Sequence, residues 1–184
     1  MASVTIPVLE TARLRLRGHR YDDLSHALAM WSDPNVTRFI SGRPSTEQQT
    51  WARLLAYIGH WEVMGFGYWV IEERVSNDFV GEVGFADFKR DVAPSIKGKP
   101  ELGFALASRF HGKGYATESV RAALPWADAH LPYPSSVCMV NPQNLASLRV
   151  VRKCGYEILE QSHYHDQPVL FLSRPNGGKA LAED

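Results

Sequence analysis

In "TARLRLRG" the apolar residues Leu14 and Leu16 alternate with Arg13, Arg15 and Arg17, a period of two that predicts a strand with one buried face. The period then changes. Leu24, Ala27, Leu28 and Trp31 share one helical face, with Asp22 or Asp23 placed as a cap and "DPN" as a stop. A second helix opens at "STEQ", where Ser45 and Gln48 suit a capping box, and its inward face reads as Trp51, Leu54, Leu55 and Ile58 up to "MGFG". Three strand patterns follow, from Tyr68, Phe79 and Glu101. Between the last two, "DFKRDVAPSIKGKP" carries prolines, glycine and charge, which predicts an exposed hairpin loop or lid.

A further helix is predicted from about Ala116 to His130, burying Val120, Ala123, Leu124 and Ala127. Pro125 lies inside it, and the hydrogen bond it removes predicts a kink or an early end. "SSVCMV" reads as a short buried strand. "NPQNLASLRVVRKCGY" reads as a helix with Leu145, Leu148 and Val151 inside, stopped by Gly155 with Tyr156 packing back. Strands near "YEILEQSHY" and "PVLFLS" close the chain. The resulting order, β-α-α-β-β-β-α-β-α-β-β, requires a parallel pair only around the connection between residues 101 and 140, where a right-handed crossover is expected. The fold class is therefore α/β in the α+β sense: a mixed, mostly antiparallel sheet of about seven strands with helices on both faces. A single domain is read over 10–174, with a frayed polar tail over 175–184.

Composition narrows the functional classes. Hydrophobic residues at 45% and charged residues at 22% are ordinary for a globular protein. Twenty basic residues balance twenty acidic ones, so no net field favours nucleic acid or an anionic membrane. No apolar run is long enough to span a bilayer, and no signal-peptide pattern opens the chain, so a cytoplasmic location is the expectation. Cys138 and Cys154 lack metal-ligand spacing and read as core thiols. His111, His163 and His165 come without a carboxylate or cysteine pattern, so no metal is expected.

Candidate chemistry concentrates in "RFHGKGYATESV", residues 109–120. Gly112 and Gly114 leave backbone N–H groups unshielded, and a helix beginning near Ala116 aims its own unpaired N–H groups at the same point. That combination suits a phosphate, although a glycine turn also joins a strand to a helix with no ligand. The position lies beyond the carboxyl end of the parallel strand, where open sheets bind ligands. The loop has neither the Gly-Lys-Ser/Thr ending of a P-loop nor three-glycine dinucleotide spacing, which argues against a nucleotide enzyme.

"RFHGKGYA" resembles the Arg/Gln-x-x-Gly-x-Gly/Ala loop of the GNAT acyltransferases, and "NPQNLASLRVVRKCGY" resembles their fourth helix. "ETARLRLRGHRYDDL" resembles the RimJ/RimL branch, which includes acetyltransferases of protein N-terminal α-amines. The resemblance runs from about Glu10 to Arg174 and implies acetyl-CoA as cosubstrate. It implies that N–H groups from Arg109 through His111, Gly112, Lys113, Gly114 and Tyr115 to Ala116 hold the pyrophosphate. By the same resemblance the preceding strand, Phe104, Ala105 and Leu106, lies along the pantetheine arm, and Asn144 contacts the cofactor. Asn144 is equally suited to cap its helix.

Acetyl transfer to an amine needs a neutral nitrogen, a held oxyanion and a proton for the thiolate. The resemblance offers Glu101 as first candidate base and Glu82 as second, with the oxyanion on an N–H near Gly103 or Phe104, where the family often has a strand bulge. Many members carry a tyrosine seven positions after the asparagine; here that place is Val151. Ser147 is the alternative donor, and a polar filler on a helix face is its other reading. Trp61, Phe66, Tyr68 and Trp69 could wall an acceptor or simply fill the core. The function implied is N-acetylation of a primary amine, a peptide N-terminal α-amine first. The alternatives are a small amine such as a polyamine or drug, and a non-catalytic CoA-binding module. A homodimer is among the assemblies this reading allows.

Overall fold

The computed structural model describes residues 4–177. Eight strands form one sheet: β1 (Leu9–Glu10), β2 (Leu14–Arg17), β3 (Tyr68–Glu73), β4 (Phe79–Ala86), β5 (Glu101–Leu106), β6 (Ser135–Val140), β7 (Glu157–Tyr164) and β8 (Gln167–Pro175). Their order is β1-β2-β3-β4-β5-β6-β8-β7. The eighth strand, beyond the seven expected, is β1, whose two residues are too few to display an alternation. As expected, β5 and β6 make the parallel pair, but they register only at Glu101↔Val137, beside a bond from the Val137 N–H to the Pro100 carbonyl at 3.0 Å. Beyond that pairing the two strands splay apart.

Helices cover both faces, which is why all eight residues of β4 are buried and show no alternation. On one face α1 (Leu24–Trp31) packs Ala27, Met30 and Trp31 against Val70, Phe79 and Ala105. Met30 takes the inward place expected of Leu24 and Leu28, which are half-buried. On the other face α4 (Tyr115–His130) and α5 (Leu145–Lys153) bury Val120, Ala123, Leu148 and Val151 among Leu14, Leu16, Val83, Leu102 and Leu172. Fully burying a leucine such as Leu14 or Leu16 contributes about 1.5–3 kcal/mol. Cys138 and Cys154 are buried free thiols in this core.

Local signals in the sequence hold in type and shift by a residue or so in position. Helix α1 ends at Trp31 just before "DPN", as expected, and the same residues open another helix: Asp33 accepts from the Asn35 N–H at 2.8 Å and starts α2 (Pro34–Thr37), with proline at a first-turn position that needs no donor. The capping box of α3 (Glu47–Met64) is Thr46 with Gln49, not Ser45 with Gln48, because the Ser45 N–H is tied to the Trp31 carbonyl at 2.8 Å. The buried face of α3 is Thr50, Leu54, Tyr57 and Trp61, whereas Leu55 and Ile58 are 47% and 38% exposed. The large rings win that face: Trp61 donates to the Tyr68 carbonyl at 2.9 Å and packs against Trp69 and Trp126.

Pro125 does not end α4, which runs on to His130, since Pro125 sits on the exposed side where the carbonyl it orphans meets water. Helix α5 stops as expected. Gly155, at φ +87°, donates to the Arg152 carbonyl and Tyr156 to the Val151 carbonyl, both at 3.1 Å, which is the Schellman arrangement. The segment 87–100 is a strap rather than a free loop: Ile96 is buried against Val137, Val169 and Phe171, and Ser162 Oγ donates to the Ala93 carbonyl at 2.6 Å. The first residues of the expected frayed tail are ordered instead: Pro175 belongs to β8 and the Asn176 N–H donates to the Pro134 carbonyl at 2.8 Å. The rest of that tail, 178–184, lies outside the described residues. Among the described residues no helix is long and apolar enough to cross a membrane.

Candidate active site

The splay leaves one edge of β5 open. Backbone groups alternate sides along a strand: the Ala107 N–H points to Val80 on β4, whereas the Pro100 carbonyl points to β6. Glu101, Gly103 and Ala105 therefore bond β4, and Phe104 and Leu106 turn their backbone groups into the splay. The Leu106 carbonyl is already engaged by His111 Nε2 at 2.7 Å. This corrects Ala105, whose backbone is committed to β4 and whose side chain is buried with α1. The register from Gly81↔Leu106 to Ala86↔Glu101 is continuous, so the bulge expected near Gly103 is absent. The nearby register shift lies instead between β3 and β4, at Ile71/Glu72.

At the carboxyl end of β5 the run of amides is shorter than expected. The Phe110 and His111 N–H groups bond the Ala107 and Ser108 carbonyls at 2.9 and 3.0 Å, inside a tight turn over Ser108–Phe110. That removes the His111 amide from the anion-binding run. Gly112 and Gly114 then take φ values of +76° and +81°, and the next internal bond is from the Glu118 N–H to the Gly114 carbonyl at 3.1 Å. Among the described residues, the N–H groups from Gly112 through Thr117 meet no protein acceptor. An added Cβ at Gly112 would find nothing within 4 Å, so the turn opens outward. Lys113 and Arg109 are exposed, with their charges near the Phe110 ring at 5.1 and 4.7 Å.

A clamp absent from the sequence reading fixes this loop. Glu118 accepts from Thr11 Oγ1 at 2.6 Å and from the Arg13 N–H and Nε at 3.1 and 2.7 Å. Arg13 Nη1 donates to the Lys113 carbonyl at 3.1 Å, and the Arg13 guanidinium lies 4.5 Å from the centre of the Tyr115 ring. The Tyr115 hydroxyl donates to Glu73. Because a trans peptide directs its C=O and N–H oppositely, holding the Lys113 carbonyl on Arg13 turns the Gly114 N–H away from the clamp. Acid and base in "TARLRLRG" and "YATESV" were the only local signs of this contact, which spans about a hundred residues of chain.

The start of α5 faces the same end of the splay. Asn144 Oδ1 accepts from the Ser147 N–H at 3.1 Å, so the capping reading holds, and the Asn144 amide NH2 is left for another partner. Ser147 is half-buried. Val151, where many relatives are expected to carry tyrosine, is fully buried in the core.

The two carboxylates lie on the α1 side of the sheet. Glu101 is 6% exposed and receives Arg90 Nε and Nη2 at 2.7 and 3.0 Å. Burial pushes its carboxyl above the ordinary range, and the hydrogen bonds and charge of Arg90 pull it back only partly. Glu82 is 1% exposed and receives Trp31 Nε1 at 2.9 Å, with His19 Nε2 at 3.3 Å. Of the four aromatics singled out, Trp61, Phe66 and Trp69 fill the core, whereas Tyr68 stacks on Tyr57 at 4.3 Å on the carboxylate side. His111, His163 and His165 join no metal-binding group among the described residues.

An open mixed sheet that splays at its parallel pair, with unpaired amides and two helix N-termini at the mouth of the splay, defines an acyltransferase fold of the GNAT type. The chain belongs to the GNAT acetyltransferase family: the Acetyltransferase (GNAT) domain model matches residues 13–157. It is an N-acetyltransferase. It is 32% identical over 164 residues to the FsC-acetyl coenzyme A-N(2)-transacetylase of Aspergillus fumigatus, covering 84% of this chain and 66% of that one. It is 26% identical over 173 residues to YkkB of Bacillus subtilis, covering 90% and 94%. The structure of an acetyltransferase from Agrobacterium tumefaciens superposes with a TM-score of 0.78 at 26% identity, covering 92% of this chain and 94% of that chain.

Proposed function

We propose that this enzyme transfers the acetyl group of acetyl-CoA to a primary amine, and that a peptide N-terminal α-amine is the acceptor class. The observation that carries the reading is the alignment of two unpaired donor sets, Gly112–Thr117 at the helix end and Phe104 with Leu106 on the open edge of β5. The first suits a diphosphate, since several N–H groups and the positive end of α4 converge there. The second suits an extended amide-bearing arm, which can bond a strand edge as another strand would.

The Phe104 N–H, pointing into the splay, is the donor for the oxyanion as the thioester carbonyl is attacked. Glu101 takes the proton from the incoming ammonium, and its raised affinity for protons fits that task. Glu82, held by Trp31 and His19, keeps the neighbouring strand face ordered. Freeing an α-amine at neutral pH costs about 1.4 kcal/mol against about 4.6 for a lysine side chain, so a carboxylate of this strength suffices for the α-amine. The name of the Aspergillus relative, which specifies an N(2) nitrogen of FsC, supports a second reading with a small-molecule amine.

Thiol release from acetyl-CoA, followed with peptides varied at the first residue beside free amines and polyamines, tests the reading. Turnover with α-amino peptides is expected. Turnover with polyamines alone overturns the α-amine reading.

A further inference from the structure

Val151 leaves this enzyme without a tyrosine on α5, and a different phenol reaches the reaction site from the opposite face of the sheet. Tyr68 begins β3 and pairs with Gly84, which pairs in turn with Gly103. The two glycines form a bare track across β4 and β5. The Tyr68 ring, sandwiched against Tyr57 at 4.3 Å and 6°, runs over that track, and a Cβ added at Gly103 would lie 1.9 Å from Tyr68 Oη. A phenol can press on strand main chain in this way only where the side chain is missing.

Its oxygen therefore sits against the residue preceding Phe104, whose N–H opens into the splay. Tyr68 is 6% exposed, and among the described residues no buried side-chain oxygen lacks a partner, so its hydroxyl, which makes no hydrogen bond to the protein, keeps that exposure at the mouth of the splay. A hydroxyl left unbonded by the protein beside the open strand edge is free to bond a molecule bound there.

We propose that Tyr68 is the catalytic proton donor to the departing thiolate. The inference rests on the acetyl-transfer reading above. The neutral amine attacks the thioester carbon, forming the C–N bond and placing an electron pair on oxygen at the Phe104 N–H. As the carbonyl re-forms, the C–S bond breaks with its pair on sulfur, and Tyr68 Oη passes its proton to that sulfur. The phenolate then takes the surplus proton from the new amide nitrogen, so the products are the N-acetyl compound and the free thiol, with tyrosine restored. Burial and the nearby negative charge of Glu101 keep Tyr68 a neutral phenol at every physiological pH, so it enters each turnover protonated.

The test is Tyr68→Phe, which retains the stacked ring and removes only the hydroxyl, with Gly103→Ala, whose methyl displaces it. Each is expected to lower kcat at least tenfold; in Tyr68→Phe the calorimetric Kd for acetyl-CoA and the melting temperature stay near the wild-type values, whereas Gly103→Ala, which must push the stacked ring aside, also lowers the melting temperature. The double variant is expected to fall no further than the worse single variant. A Tyr68→Phe enzyme with kcat within twofold of wild type, or one whose loss lies wholly in acetyl-CoA affinity, overturns the assignment. Absence of thiol release by the wild-type enzyme with every amine overturns the acetyl-transfer reading itself, a separate failure.

Discussion

Arg90 holds Glu101 through two parallel bonds, Nε to Oε2 at 2.7 Å and Nη2 to Oε1 at 3.0 Å, and steadies itself on the Tyr164 hydroxyl at 3.3 Å. The pair joins the 87–100 strap to the strand face where the carboxylate is needed. It also sets that carboxylate's basicity: burial raises it and Arg90 restrains the rise.

Two outcomes follow for this pair. Glu101→Gln is expected to lower kcat at least tenfold with acetyl-CoA affinity nearly unchanged, measured by thiol release and calorimetry. Arg90→Gln leaves burial unopposed, so the Glu101 pKa rises further and the acidic limb of the kcat/KM profile moves to higher pH. An unmoved limb removes Glu101 from the proton path.

Gly114 adopts φ +81°, and an added Cβ would meet only Arg13 Nη2 at 3.5 Å, so the obstacle to a side chain there is backbone strain rather than a clash. Gly114→Ala is expected to cost about 1–2 kcal/mol of stability by denaturant unfolding. Because relief of the strain would re-aim the loop amides, acetyl-CoA affinity is expected to fall about tenfold, equivalent to about 1.4 kcal/mol.

Asn144 separates into two functions by substitution. Asn144→Ala removes the cap of α5 and is expected to cost about 1 kcal/mol of stability. Asn144→Asp keeps an acceptor for the Ser147 N–H, so stability is retained, while a cofactor contact through the amide NH2 is lost. A drop in acetyl-CoA affinity with unchanged melting temperature in Asn144→Asp assigns the amide to the cofactor.

Arg17 and Asp23 predict the acid limit of stability. Arg17 Nη2 lies 2.7 Å from Asp23 Oδ1 and 2.6 Å from Glu72 Oε1, in a setting where the Asp23 side chain is 5% exposed. Burial pushes the Asp23 carboxyl up, but hydrogen bonds from Arg17 and the Arg20 N–H, with the Arg17 charge, hold it below its ordinary 3.8. A carboxyl lowered on folding stabilises the native state above its unfolded pKa, and that contribution disappears as pH falls through the lower folded value. Asp23→Asn is expected to cost about 3 kcal/mol at neutral pH and to flatten the loss of stability between pH 4 and the acid transition.

Features carried by neighbouring residues were legible in the sequence: the alternation of β2, the glycine turn before α4, the Asn144 cap and the Gly155 stop. Features decided by distant contacts were not. The face of α3 depended on which rings found partners, so Tyr57 and Trp61 displaced Leu55 and Ile58. The capping box moved one residue because Ser45 was already bonded to Trp31. Glu101 and Glu82 are visible in the sequence as carboxylates, but their holders Arg90, Trp31 and His19 follow no periodicity that a sequence displays, and the clamp of Arg13 on the glycine loop joins segments about a hundred residues apart. Tyr68 looked like core because nothing in the linear chain shows that Gly84 and Gly103 lie side by side beneath it.

Calorimetric titration of the wild-type enzyme and Gly114→Ala with CoA and acetyl-CoA tests most directly whether the open amides of Gly112–Thr117 bind a diphosphate. A saturable heat of one-to-one stoichiometry, weakened about tenfold in the variant, is the predicted result. No heat with either ligand at millimolar concentration, or equal affinity in wild type and variant, would contradict it.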